Sequence, residues 1–275
     1  MAALPRFIFA CCILSFVASY SSAQDKNFHI YLAFGQSNME GVADIAKQDT
    51  NTNPRFQAIE SYDCEKNLGR KYGVWYTATP PMFGCWGKLS LADSFGREMI
   101  KRLPKHIRIG IVPTAVGGAD IAVFQKGAPV GVGKYGKEKI PPQFPGGYAW
   151  LVDLAKKAQQ KGVIKGILLH QGETNNGQQD WKNKVSGIVE NLKKDLNLGD
   201  IPLLAGETLH GGCCDLHNQQ IAQLPTIMNA YVISAQDLAG ADEAHFTADS
   251  YRKLGVRYAE KMLEINYEKL VKPKH

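Results

Sequence analysis

The chain has 275 residues, 44% of them hydrophobic and 21% charged, with 27 glycines and 13 prolines. That is a globular composition, and it excludes wholesale disorder, fibrous repeats and low-complexity arrays. The net charge of +6 is dispersed, and its densest stretch, Lys134 to Lys139, is interrupted by Glu138; neither a nucleic-acid footprint nor a polybasic membrane tail is expected.

In chain order, the first segment reads as a secretory leader. Arg6 supplies the positive start, Phe7 to Val17 is uncharged and mostly apolar, and Ser21-Ser22-Ala23 offers small residues before Gln24. Cleavage after Ala23 is expected, with residues 24–275 as one mature domain and an extracellular or periplasmic location. No later segment approaches the roughly 20 apolar residues that a membrane span requires.

Apolar, β-branched runs follow at Phe28 to Phe34, Ile107 to Ala115, Val163 to His170, Ile201 to Gly206 and Tyr231 to Ala235. They are nearly continuous, the pattern of strands buried on both faces. Helical patterns alternate with them: Leu89 to Leu103 stopped by Pro104, Tyr148 to Gln160, Trp181 to Leu196, a shorter one around Ile221 to Met228, and Ala248 to Glu268. Such alternation predicts a three-layer α/β/α sandwich on a mainly five-stranded parallel sheet. Two long irregular insertions interrupt it, Asp44 to Lys88 and Gln125 to Gly147, the first rich in aromatic residues including Tyr62 and Trp86.

Export makes disulfides the expected use of the cysteines. Setting aside Cys11 and Cys12 of the leader leaves Cys64, Cys85, Cys213 and Cys214. Cys64–Cys85 would close one irregular loop, whereas pairing of the adjacent Cys213 and Cys214 is left open. The cluster His210, Cys213, Cys214 and His217 lacks the C-x₂₋₄-C spacing of closed zinc sites, so no metal is expected.

Ligands of open parallel sheets bind beyond the carboxyl ends of the strands. After the first strand comes Gly35-Gln36-Ser37-Asn38-Met39-Glu40-Gly41, a serine at the sheet edge that differs from the G-x-S-x-G elbow. Thr114-Ala-Val-Gly117-Gly118 follows the second run, where paired glycines let a backbone amide approach a ligand. The third run ends in His170-Gln171-Gly172-Glu173-Thr174-Asn175, polar side chains that must find partners. Before the last helix stands Asp242-Glu-Ala-His245. A D-x-x-H spacing brings a carboxylate to the Nδ1–H of its own histidine and leaves Nε2 to accept a serine proton.

The order of these blocks resembles the SGNH hydrolases. More narrowly, GQSNMEG, the Gly-Gly pair, HQGETN and DEAHF are similar to the acetylxylan esterases of carbohydrate esterase family 6 and the related sialate O-acetylesterase domain. The likeness runs from about Phe28 to the last helix. It implies serine-dependent removal of O-acetyl groups from a carbohydrate, most simply acetylxylan, without metal or organic cofactor. Ser37 becomes the nucleophile, His245 the base and then acid, and Asp242 its orienter. The oxyanion donors become the N–H groups of Ser37 and Gly118 and the side-chain amide of Gln171, with Asn175 second to it. Glu173 receives no role. A carbohydrate-binding protein that had lost catalysis would lack a member of the Ser37, His245 and Asp242 triad, and all three are present.

Overall fold

The computed structural model describes residues 24–129 and 139–270; the expected leader and most of the Lys134–Lys139 stretch lie outside the described residues. Strands are β1 (Asp25–Gly35), β2 (Phe56–Ile59), β3 (Trp75–Thr77), β4 (Arg108–Pro113), β5 (Gly162–His170), β6 (Leu203–Gly206) and β7 (Ala230–Ile233). Helices are α1 (Ser37–Glu40), α2 (Glu65–Leu68), α3 (Leu91–Arg102), α4 (Gly147–Gln159), α5 (Trp181–Asp195), α6 (Asn218–Ile221) and α7 (Ala248–Tyr267). Together they form one sheet in the order β3-β2-β4-β1-β5-β6-β7. Every pairing is parallel except β2 with β3.

The sheet thus has seven strands, not five. Both additions come from the aromatic insertion, where β2 pairs with β4 and carries the antiparallel β3 at the edge. The expected helix around Ile221 to Met228 is instead the short α6 followed by a 3₁₀ turn at Leu224–Thr226. Among the described residues, no helix is long and apolar enough to cross a membrane.

Alternation along β1 divides the core between the two faces. Ile30, Leu32 and Phe34 meet Trp150, Leu151 and Leu154 of α4 and Trp181, Val185 and Ile188 of α5. Tyr31 and Ala33 face Phe95 and Met99 of α3 and Tyr251, Leu254 and Tyr258 of α7. Burying each such side chain contributes about 1.5–3 kcal/mol, which is what fixes the register of β1 between its helices.

Chain order places the site. From β1 the chain crosses to β2 and the edge strand β3, comes back to β4 beside β1, then passes to the opposite side for β5, β6 and β7. The reversal opens a crevice at the carboxyl ends of β1, β4 and β5. Local caps fix the loops there: Ser90 starts α3 by accepting from Ala92 N–H at 3.1 Å and donates its own hydroxyl to the Met39 carbonyl at 2.6 Å. Thr247, two residues past His245, caps α7 by accepting from Ser250 N–H at 3.2 Å.

Candidate active site

Ser37 opens α1 directly after β1 and is 9% exposed. Its hydroxyl donates to His245 Nε2 at 2.9 Å. The other ring nitrogen, His245 Nδ1, donates to Asp242 Oδ2 at 2.8 Å and lies 3.1 Å from Oδ1. Asp242 Oδ1 also accepts from the backbone N–H groups of Ala244 and His245, each at 2.8 Å. The carboxylate therefore closes its own loop as well as orienting the imidazole. Burial is the largest single influence on the Asp242 carboxyl and works to raise it, but the hydrogen bonds from the His245 ring and from both backbone N–H groups together pull it down to about 2. It stays ionised throughout the range in which imidazole titrates.

The N–H groups of Ser37 and Gly118 have no acceptor among the described residues. Gly118 adopts φ +72, the left-handed conformation that a side chain disfavours. Two unspent donors at the carboxyl ends of β1 and β4 are what a developing oxyanion requires.

Gln171, the side-chain donor that the resemblance implies, is enclosed by protein partners. It is 1% exposed, and its amide nitrogen donates to Gln36 Oε1 and the Ala119 carbonyl, each at 3.1 Å, and to Asn175 Oδ1. Its carbonyl oxygen accepts from Trp181 Nε1 at 2.5 Å. Both amide hydrogens are spent inside the protein, so this side chain braces loops instead of reaching the crevice. Asn175 is spent likewise, accepting from Ile121 N–H at 2.9 Å and donating to Gln178 at 2.8 Å.

Three residues that sequence reasoning left without a role hold the site together. Asn38 donates to Glu173 Oε1 at 2.5 Å and to the Ala244 carbonyl at 2.8 Å, while accepting from Tyr251 OH at 2.6 Å. Glu173 is thereby tied to the turn that carries Ser37. Its Oε1 also lies 4.0 Å from His170 Nε2. Burial pushes Glu173 up and His170 down to about 3, so the pair faces one another without forming an ion pair. Glu40, at the end of α1, accepts from Trp86 Nε1 and from Lys139 Nζ at 2.7 and 3.0 Å. The signal for these roles was the polar block SNME and the lone Glu173 beside otherwise apolar strands, since buried polar groups require partners.

Cys64 and Cys85 form the expected disulfide, with Cα atoms 5.3 Å apart. It secures the segment bearing Tyr62 and Trp86, whose rings meet edge to face at 5.0 Å between centroids. The other aromatics of this insertion serve packing: Trp75 lies on Phe28, and Tyr72 donates to Asp153 at 2.6 Å. Cys213 and Cys214 are bonded to each other, so neither thiolate is free to bind a cation. His210 pairs with Glu207 at 2.8 Å, and His217 is fully buried against Trp181.

Residues 27–264 match a family model described as carbohydrate esterase, sialic acid-specific acetylesterase. The chain belongs to that family. A probable carbohydrate esterase of Arabidopsis thaliana is 24% identical over 251 residues, spanning 85% of this chain and 90% of that protein. The X-ray structure of this Arabidopsis protein superposes with a TM-score of 0.69 at 21% identity, covering 88% of this chain and 99% of that one. NanS gives a TM-score of 0.66 at 16% identity over 89% of this chain and 99% of its own. A carbohydrate acetylesterase from Xanthomonas citri gives 0.64 at 18% identity, over 87% of this chain and 57% of that longer one. These three structures share the layered α/β architecture described above.

Proposed function

We propose that this carbohydrate esterase is an exported serine hydrolase that removes O-acetyl groups from acetylated polysaccharide, with acetylxylan as its substrate. The observation that carries the reading is the relay from Ser37 Oγ through His245 to Asp242, at 2.9 and 2.8 Å, beside two unspent backbone donors.

The steps follow from that geometry. Nε2 of His245 takes the proton as Ser37 Oγ attacks the acetyl carbonyl, and Asp242 stabilises the imidazolium. The oxyanion rests on the N–H groups of Ser37 and Gly118; one such donor contributes about 2.7–4 kcal/mol. As the C–O bond to the sugar breaks, imidazolium returns the proton to the departing alkoxide. Water then repeats the sequence on the acetyl-serine, releasing acetate and restoring the hydroxyl. The pocket on the acyl side need hold only a methyl group, so selection falls on the alcohol. Tyr62 and Trp86, beside Glu40, are suited to meet a pyranose ring. The two disulfides support export to an oxidising compartment.

A second reading, an O-acetylated sialic acid as substrate, is favoured by the description of the family itself. Acetate release from acetylated xylan, acetylated pectin and O-acetylated sialic acid, measured side by side with Ser37→Ala as control, separates the readings. Preference for xylan supports the first, preference for sialic acid replaces it with the second, and release by Ser37→Ala equal to wild type removes the serine mechanism.

A further inference from the structure

Cys213 and Cys214 are neighbours in the chain and are joined by a disulfide, in the loop that follows β6. A bond between adjacent cysteines closes a small ring through their shared peptide, and the backbone there loses the freedom that an ordinary turn keeps. This ring sits where three strand-end loops meet. The Cys213 N–H donates to the Glu243 carbonyl at 2.7 Å, and Glu243 lies between Asp242 and His245. The Cys213 carbonyl accepts from Asn176 Nδ2 at 3.3 Å, and the Cys214 carbonyl accepts from Thr208 Oγ1 at 2.9 Å. Cys214 Sγ rests 3.6 Å from the Glu173 carbonyl. The approach leaves no room for a side chain: a Cβ on Gly212 would collide with the Glu243 carbonyl.

Packing does little to hold the acid–base pair, since the side chains of Asp242 and His245 are 58% and 29% exposed. Their loop depends on backbone anchors. Those reaching it from other loops include Asn38, at Ala244 and Phe246, and Cys213, at Glu243. Displacing a catalytic group by about 1 Å can cost about a hundred-fold in rate, so a rigid anchor beside such a pair has leverage over turnover.

We propose that the Cys213–Cys214 ring is a positioning element for the Asp242–His245 loop, setting the distance from His245 to Ser37 Oγ. The inference rests on the serine-esterase reading above.

The test compares wild type, the double variant Cys213→Ser/Cys214→Ser, and Gly212→Ala, which disturbs the same contact with the ring intact. Each is assayed on an aryl acetate and on acetylated xylan, and its thermal midpoint is measured. In both variants kcat should fall about ten-fold or more on both substrates, with KM within about two-fold, as expected when positioning and not binding is lost. On folded wild type, a water-soluble phosphine should lower kcat in step with opening of this ring, followed by mass spectrometry. The phosphine supplies two electrons and becomes its oxide with oxygen from water, leaving two thiols; reoxidation should restore kcat. Unchanged kcat in the double variant and in Gly212→Ala would overturn the proposal. So would a rise in KM for xylan alone, which would put the ring in the path of the sugar, or a loss of thermal stability with kcat intact. Failure of the underlying reading is distinct, because it would appear as wild type without acetate release or as fully active Ser37→Ala.

Discussion

Asn38 and Glu173 are hydrogen-bonded at 2.5 Å, joining the residue after the serine to the loop after β5. The same amide holds the Ala244 carbonyl at 2.8 Å, so one side chain ties the Ser37 turn to both of its neighbours. Asn38→Ala would strand Glu173 Oε1, the Ala244 carbonyl and the Tyr251 hydroxyl, at about 1–3 kcal/mol for each group left unpaired. The expected outcome is a lowered thermal midpoint together with a fall in kcat larger than any change in KM. A melt combined with steady-state kinetics checks this; a destabilised enzyme of normal kcat would reduce Asn38 to a structural brace.

Ser37→Ala removes a single oxygen from a residue whose backbone, not its hydroxyl, shapes the turn. It should abolish acetate release while leaving the thermal midpoint within a few degrees of wild type. A serine-directed phosphonate should add its mass to wild type at Ser37 and nowhere in the variant, as peptide mapping would read out. At Gly118, alanine would have to adopt φ +72. It should misdirect one oxyanion donor and reduce kcat by about 10²–10³-fold with KM little affected.

The Asp242 carboxyl, held down to about 2, remains charged from mildly acidic pH upward. The acid limb of turnover is therefore expected to be a single proton uptake by imidazole, which then cannot accept the serine proton. Asp242→Asn should cost less than His245→Ala, since an amide still meets the ring but favours the wrong tautomer. A pH–rate profile of the two variants beside wild type decides this, and a limb with two protons per site would contradict it.

Much of this arrangement is legible in the sequence because it is local or strongly patterned. β1, β4 and β5 are buried on both faces, so their apolar runs stand out; Asp242 and His245 are three residues apart, and spacing alone predicts their contact. β2 and β3, four and three residues long, sit at the edge of the sheet inside an irregular insertion and lack a run long enough to read. The partners of Gln171 are hidden from the sequence for a different reason. Whether an amide faces a ligand or the interior depends on Gln36, Ala119 and Trp181, and the first of these is 135 residues away in the chain. The vicinal disulfide was equally out of reach, since adjacent cysteines read alike whether paired or free.

The Cys64–Cys85 bond closes a loop over a sequence separation of 21 and should contribute about 2–4 kcal/mol, chiefly by restricting the unfolded chain. Cys64→Ala/Cys85→Ala should unfold at lower denaturant with kcat on aryl acetate retained, because neither residue touches Ser37 or His245. A denaturant titration with activity read at each point checks both halves; a collapse of kcat in the folded variant would show that the insertion shapes the reaction centre itself.

Acid should weaken the fold through three buried histidines. Burial pulls His29 and His217 down to about 4 and His170 to about 3, with the charge of Lys165 adding to the effect on His29. The unfolded chain takes up these protons near pH 6.5, ahead of the folded one. The stabilisation is thus complete above about pH 6.5 and is lost progressively as pH falls towards about 4, and towards about 3 for His170. Glu60, Asp93 and Glu173, pushed up by burial, act in the opposite sense. Thermal midpoints should therefore decline steadily from pH 7 to pH 4.5. His217 is the cleanest probe, since its ring is fully buried and packs against Trp181. His217→Met should keep the midpoint at pH 7 and flatten its decline below pH 6.5. A variant that declines as steeply as wild type would show that carboxyl groups, not this imidazole, govern acid unfolding.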